Sequence, residues 1–188
     1  MSREKSGLGK SADGYVASFL KGEPFPGGFA YRDELNKCNL DFSMESLKRI
    51  DSLLDRIREK QAPQFETFVE NAANQHFLHL IAFYAGKVAA RNAGVEPEWH
   101  TREDAIALVP QLKHLWSDDL FETSIICMFP QKGGGSQQYP PMLSVCYRLF
   151  QGEKSIWGSA SGVKIGITNS KQREEGLFSK FRRILNSL

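Results

Sequence analysis

The stretch ETFVENAANQHFLHLIAFYAGKVAARNA, residues 66–93, decides the fold. Phe65, Phe68, Val69 and Ala72 open an apolar set, and Phe77, Leu80, Ile81, Tyr84 and Val88 continue it at the intervals of one helical face. Between residues 77 and 90 nearly every position is apolar, which predicts a helix buried around most of its circumference. Gly94 stands where a left-handed residue closes a helix, and Arg91 lies in the last turn, where a cation faces the carbonyl end. Ala82, Ala85 and Gly86 offer small surfaces for close packing. We therefore expect this segment to be the central helix.

Upstream, Leu47, Ile50, Leu54 and Ile57 form one apolar stripe and predict a helix over 43–60. Asp41 or Ser43 can cap it by accepting a bond from a backbone N–H that has no partner in the first turn. Lys48, Arg49, Asp55, Arg56 and Glu59 keep the other face wet, and Pro63 marks the break that follows. Before this helix, Gly22, Pro24, Pro26, Gly27 and Gly28 enforce an irregular stretch that Phe25, Phe29 and Tyr31 pin to the core. Tyr15 to Leu20 predicts a helical turn, and the polar, Gly/Ser-rich residues 1–12 read as a flexible tail. That leaves 13–188 as a single domain.

Downstream, Thr101 opens a short helix with Asp104 at capping distance and Ile106, Leu108, Val109, Leu112 and Leu115 as its apolar set, interrupted at Pro110. Phe121–Phe129 and Met142–Phe150 are β-branched or aromatic runs of strand length. Ser155–Ala160 and Val163–Thr168 are expected to add two strands, with Ser161-Gly162 as their turn. QKGGGSQQYPP, residues 131–141, reads as a long flexible connection. Residues 174–188 are amphipathic again, with Leu177, Phe178, Phe181, Ile184, Leu185 and Leu188 against Lys180, Arg182 and Arg183. Helices first and strands later predict an α+β fold: N-terminal helices on a mainly antiparallel C-terminal sheet, with a final amphipathic helix.

A chain of 188 residues suits one domain, and 41% hydrophobic against 24% charged residues is ordinary for a folded protein. Twenty-four basic against 22 acidic residues give no electrostatic reason to expect nucleic acid as a partner. No run of 18 apolar residues predicts a membrane span, and no apolar h-region predicts a secretion signal. Cys38, Cys127 and Cys146 are odd in number, widely spaced and free of any C-x-x-C, so we expect reduced thiols in the cytoplasm.

Few constellations carry chemistry. SGLGKS at 6–11 lacks the glycine that a phosphate-binding loop needs five residues before its Gly-Lys pair, since position 4 is Glu4. His76 and His79 are three apart on the central helix, a spacing that can bring two imidazoles to one metal. His100 and His114 lie in other segments and no carboxylate accompanies the pair, so one histidine is expected buried and satisfied, the other exposed, with no metal and no cofactor. Cys127 and Cys146 lie in apolar runs and read as small buried hydrophobes. Asp118-Asp119 and Glu174-Glu175 read as solvated acids. Gly133, Gly134 and Gly135 favour a mobile loop over an anion cradle, and with Gln137, Gln138 and Tyr139 they are the expected contact for a protein partner.

LDFSMESLKRIDSLLDRIRE (40–59), LIAFYAGKVAARNAG (80–94) and Trp99 together resemble an uncharacterised bacterial protein family, a domain of unknown function. Its pattern is a Leu-Asp-[Phe/Tyr]-Ser helix start, a Ser-Leu pair, a Tyr-x-Gly-x-Val central helix and a following Trp. Leu40, Asp41, Phe42, Ser43, Ser46, Leu47, Tyr84, Gly86, Val88 and Trp99 carry it here, and Lys87 stands where members often have Glu. The resemblance implies no activity; by analogy with small bacterial proteins of this sort it implies an accessory or toxin-immunity role. The expectation is a non-enzymatic protein-binding factor. The alternative is a small-molecule enzyme whose site gathers His76, His79 and Tyr84 near the central helix.

Overall fold

The computed structural model describes residues 6–114, 121–131 and 134–163. Its centre is helix α5 (Ala72–Ala93), in which residues 80–86 and 88–90 are all buried. The apolar run expected as one helix over 66–93 is divided at Asn71. That residue is extended, with φ −88° and ψ 121°, and ends α4 (Phe65–Glu70). Its Oδ1 accepts from Ala73 N at 2.9 Å, so the side chain offers the backbone a cap where a continuous helix would have offered a turn. Gly94 closes α5 in the left-handed conformation, at φ 70°.

Helix α3 (Met44–Gln61) follows its predicted stripe and buries Leu47, Ile50, Leu53, Leu54 and Ile57. Of the two candidate caps Ser43 takes the position, its Oγ accepting from Ser46 N at 3.1 Å, while Asp41 Oδ1 accepts from Ser43 N at 2.9 Å, ahead of the helix. Ahead of it lie α1 (Gly7–Leu20) and the short α2 (Arg32–Asn36). Residues 7–12, expected as tail, are the first turns of α1. Gly9, Ala12, Val16 and Phe19 recur at helical spacing and are buried, which offsets the poor helix propensity of the glycines. Ser6 Oγ accepts from Gly9 N at 3.1 Å and donates to Trp99 O at 2.9 Å, tying the start of α1 to the sheet.

The sheet is antiparallel in the order β1 (Glu98–His100), β2 (Ile126–Pro130), β3 (Ser136–Tyr139). Trp99 pairs with Cys127 and Cys127 with Tyr139, so these three share the face turned to the helical core. Ile126 and Met128 face the other way, onto Ala105 of α6 (Arg102–Leu108) and Leu112 of the 3₁₀ turn Pro110–His114. Thr101 caps α6 as expected, accepting from Asp104 N at 3.2 Å. The fold is α+β, with helices and sheet mixed in one chain.

Three strand expectations are corrected. Phe121–Thr123 is a 3₁₀ turn, and the strand of that run starts at Ile126. Residues 142–150 form α7 (Pro141–Cys146), continued by a π-helical turn over Tyr147–Gln151. Pro141 sits in the first turn, where its missing N–H costs nothing, and Met142, Val145, Cys146 and Leu149 bury one helical face. Residues 155–160 form α8 (Ile156–Ser161), capped by Ser155 Oγ, which accepts from Gly158 N at 3.0 Å. The sheet thus lies mid-chain, with α7 and α8 packed on α5 behind it. The expected connection 131–141 is largely a hairpin into β3, since Pro130 pairs with Ser136. The expectations for residues 164–168 and 174–188 lie outside the described residues.

Candidate functional site

The first two turns of α5 carry His76 and His79 and leave both half-buried. His76 Nδ1 lies 2.9 Å from Gly28 O, and His79 Nδ1 lies 2.8 Å from Gln75 O. A carbonyl oxygen only accepts, so both Nδ1 atoms carry a proton and donate it. The loop over residues 22–30 comes down onto this part of α5, with Ala30 N donating to Ala73 O at 3.0 Å. Gly27 makes the approach possible. It has φ +77°, and a Cβ there would stand 3.0 Å from His76 Cε1.

Tyr15 of α1 joins the two imidazoles. Its ring centroid is 5.8 Å from that of His76 and 6.0 Å from that of His79, and it also packs on Phe25 at 4.6 Å and Phe83 at 5.5 Å. From His79 the contacts run on to Phe121 at 5.5 Å, from Phe121 to Phe65 at 5.9 Å, and from Phe65 to Phe150 at 5.3 Å. Tyr15, Phe25, Phe65, Phe121 and Phe150 are half-buried like the histidines. Together they make a band of rings, each showing an edge to water, across α1, the 22–30 loop, α4, α5 and the π-helical turn. Burial holds the His79 imidazole below its ordinary pKa; the Gln75 bond opposes this and the neighbouring His76 adds to it. Burial raises the Tyr15 phenol.

Tyr84 does not join them. Its hydroxyl oxygen accepts from Phe42 N at 2.8 Å and lies 2.7 Å from Ser46 Oγ, at the start of α3. Phe42 is left-handed, at φ 60°, and its ring lies 5.2 Å from that of Tyr84. Gly86 has a comparable structural use, because a Cβ there would stand 2.3 Å from Trp99 Cη2. Tyr84 and Gly86 therefore build joints: α3 to α5 through Tyr84, and α5 to β1 through Gly86. Lys87 pairs with Asp13 of α1.

Asp51 and Asp55 of α3 also join elements of the fold. Asp51 Oδ1 accepts from Ile156 N at 2.9 Å, and its Oδ2 accepts from Ser155 Oγ at 2.6 Å and Trp157 N at 3.3 Å. It is a buried carboxylate that caps α8 from α3. The sequence showed it only as one acid on the buried side of α3, between Leu47 and Leu54. Asp55 binds Arg58 and Arg148, and Arg58 Nη1 donates to Arg148 O at 2.6 Å. All three cysteines are free thiols inside the core, and burial raises each of them. Among the described residues no group of three or more His, Cys, Asp or Glu side chains is placed to hold a metal ion.

At the hairpin, Gly134 and Gly135 take φ +93° and +81° and make the turn, with Gly134 N donating to Gln131 O at 3.2 Å. Gln138 Nε2 turns back to Ser136 O at 2.6 Å, and Gln137 Nε2 reaches Gly162 O at 3.2 Å. Tyr139 is buried opposite Cys127, where desolvation raises its phenol far above the ordinary value. Gly133, like Asp118-Asp119 and Glu174-Glu175, lies outside the described residues. A shallow cavity of about 190 Å³ opens between α1 and α2, lined by Phe19, Leu20, Leu35, Asn36, Asn39 and Leu40, with no charged group. No family model, curated protein or solved structure matches the chain.

Proposed function

We propose that the protein is a non-enzymatic cytoplasmic accessory factor that binds another protein through the ring band of Tyr15, Phe25, His79, Phe121, Phe65 and Phe150. One observation carries this reading: fixed polar side chains at Tyr84, Asp51 and Asp55 join elements of the fold, while half-buried rings gather on one face. Aromatic side chains give large contact area for little lost conformational freedom and dominate protein interfaces. Three buried free thiols fit a reducing compartment. The binding reading is further supported by the Tyr84 hydroxyl, which is engaged with Phe42 N and Ser46 Oγ rather than with the histidine pair.

Capture from the native host tests it. The wild-type chain is expected to retain one specific protein, and Phe25→Ser and Phe121→Ser chains with unchanged circular dichroism are expected to lose it. Equal recovery by the variants would end the proposal. Toxin immunity is the narrower form, in which deleting the gene sensitises cells to a toxin encoded nearby.

A further inference from the structure

We propose, on the basis of the binding reading above, that the ring band takes a basic segment of its protein partner. Arginine side chains of that segment lie on the rings of Phe65, Phe121 and Phe150 and pair with Glu66, Glu70 and Glu122. The rings at this end meet edge to face. Phe65 stands at 89° to Phe150, with centroids 5.3 Å apart, and His79 stands at 83° to Phe121, at 5.5 Å. Phe65 and Phe121 are tilted by 59° at 5.9 Å. Such pairs leave ring faces outside the pair, and the face is the electronegative part of a ring, which attracts a guanidinium or ammonium group. The chain makes this contact within itself. Lys154 Nζ lies 4.1 Å from the Tyr147 ring centroid, and Lys48 Nζ lies 4.7 Å from that of Trp157.

The stretches that supply these rings are acidic. The 26 residues between Lys60 and Lys87, which include Phe65 and His79, hold Glu66 and Glu70 and no lysine or arginine. The 18 residues between Lys113 and Lys132, which include Phe121, hold Asp118, Asp119 and Glu122 and again no lysine or arginine. The whole chain has 24 basic residues against 22 acidic ones, so the band departs from the balance of the rest. Glu66 and Glu70 are exposed one turn apart on α4. Glu122 follows Phe121, and its Oε2 is shut off from water without a hydrogen-bond partner. A buried carboxylate oxygen without a donor is costly, so the chain leaves an acceptor unmet beside a ring. The bases near Phe150 are engaged, Arg148 with Asp55 and with Lys154 O at 3.3 Å, and Lys154 with Tyr147. Arginine fits both features, because its planar guanidinium stacks on an aromatic face and bonds a carboxylate through two N–H groups. An acidic partner would meet like charge here.

Fluorescence anisotropy of the full chain tests this with a labelled peptide of alternating glycine and arginine. The control peptide has citrulline for arginine, which keeps the side-chain shape and removes the charge. At low salt the arginine peptide is expected to bind about tenfold or more tighter than the citrulline peptide. It is expected to bind the Glu66→Gln/Glu70→Gln/Glu122→Gln chain about tenfold or more weakly than the wild type. A Glu45→Gln/Glu96→Gln/Glu103→Gln chain loses three exposed acids from other elements and is expected to keep the wild-type affinity. No binding of the arginine peptide, equal binding of the two peptides, or equal loss in the two glutamine chains overturns the proposal. If Glu122→Gln does not fold, the Glu66→Gln/Glu70→Gln chain decides against Glu45→Gln/Glu103→Gln. A host protein that is lost with Phe121→Ser but kept by the first glutamine chain leaves the binding reading standing and overturns the basic partner. A host protein kept by Phe121→Ser ends the binding reading itself.

Discussion

The two halves of α5 put the same helix to different uses. From residue 80 to 90 the helix is enclosed on all sides except at Lys87. There a polar atom must have a fixed partner, and the Tyr84 hydroxyl finds Ser46 and Phe42. Space is as tightly specified, since Trp99 occupies the place of a Gly86 side chain. From residue 72 to 79 only Phe77 and Leu78 are buried. His76 and His79 are held by one nitrogen each and pack both on the core rings Phe29 and Phe83 and on the partly wet rings Tyr15 and Phe25. A closed circumference makes polar residues structural, and an open one leaves them half in water.

Substitutions can break this contrast, and the largest effect is expected in the closed half. Gly86→Ala forces the Trp99 indole aside and should cost about 3 kcal/mol in urea unfolding, at the upper end for overpacking. At this chain length that lowers the melting temperature by roughly 6–12 °C. Tyr84→Phe keeps the ring but removes the partner of Phe42 N and one of the two partners of Ser46 Oγ, which keeps Ser43 O, and it should cost about 1–2 kcal/mol by the same measurement. If Tyr84→Phe were neutral, the joint to α3 would be packing alone.

In the open half the expected effects are smaller and depend on pH. The folded-state pKa of His79 is depressed, so its neutral form contributes stability fully above the ordinary value near 6.5. That contribution is lost as pH falls from there through the folded-state value. Melting temperatures should therefore be level from about pH 8 to 7 and decline below about 6.5, with His79→Asn flattening the decline. Asp41, lowered by its Ser43 bonds, acts only near and below the carboxylate range and does not blur that window. The smallest effect is expected from Phe121→Ser, at or below about 1 kcal/mol, because the ring is already partly in water. A cost equal to that of Gly86→Ala would make the band part of the core and remove the contrast.

How much of this was legible depended on whether the deciding interaction was local. The α3 stripe, its Ser43 cap, the Gly94 stop and the buried 77–90 stretch all follow from spacing and neighbouring residues, and they are as expected. Residues 142–150 were misread because a short apolar run satisfies both periods; the Met142, Val145, Cys146, Leu149 spacing and Pro141 held the helical answer. Residues 7–12 were misread from composition, which hid the Ala12, Val16, Phe19 repeat. The histidine pair was visible, but its pairing with Tyr15 was not. That contact spans more than sixty residues and depends on how Gly27 lets the loop settle. Tyr84 drew attention as a chemical group, yet its hydroxyl is spent on a helix start that no local pattern joins to it.

The cap that Asp51 supplies to α8 bears on the order in which the chain can be completed during synthesis. Its three partners, Ser155, Ile156 and Trp157, lie 104 to 106 residues further along. At elongation rates of about 5–20 residues per second, the carboxylate leaves the ribosome roughly 5–20 s before those partners do. Until then that side of α3 holds a charge in need of water, which opposes premature closure of the helices over it. The last described helix is thus the one that allows this carboxylate to be buried.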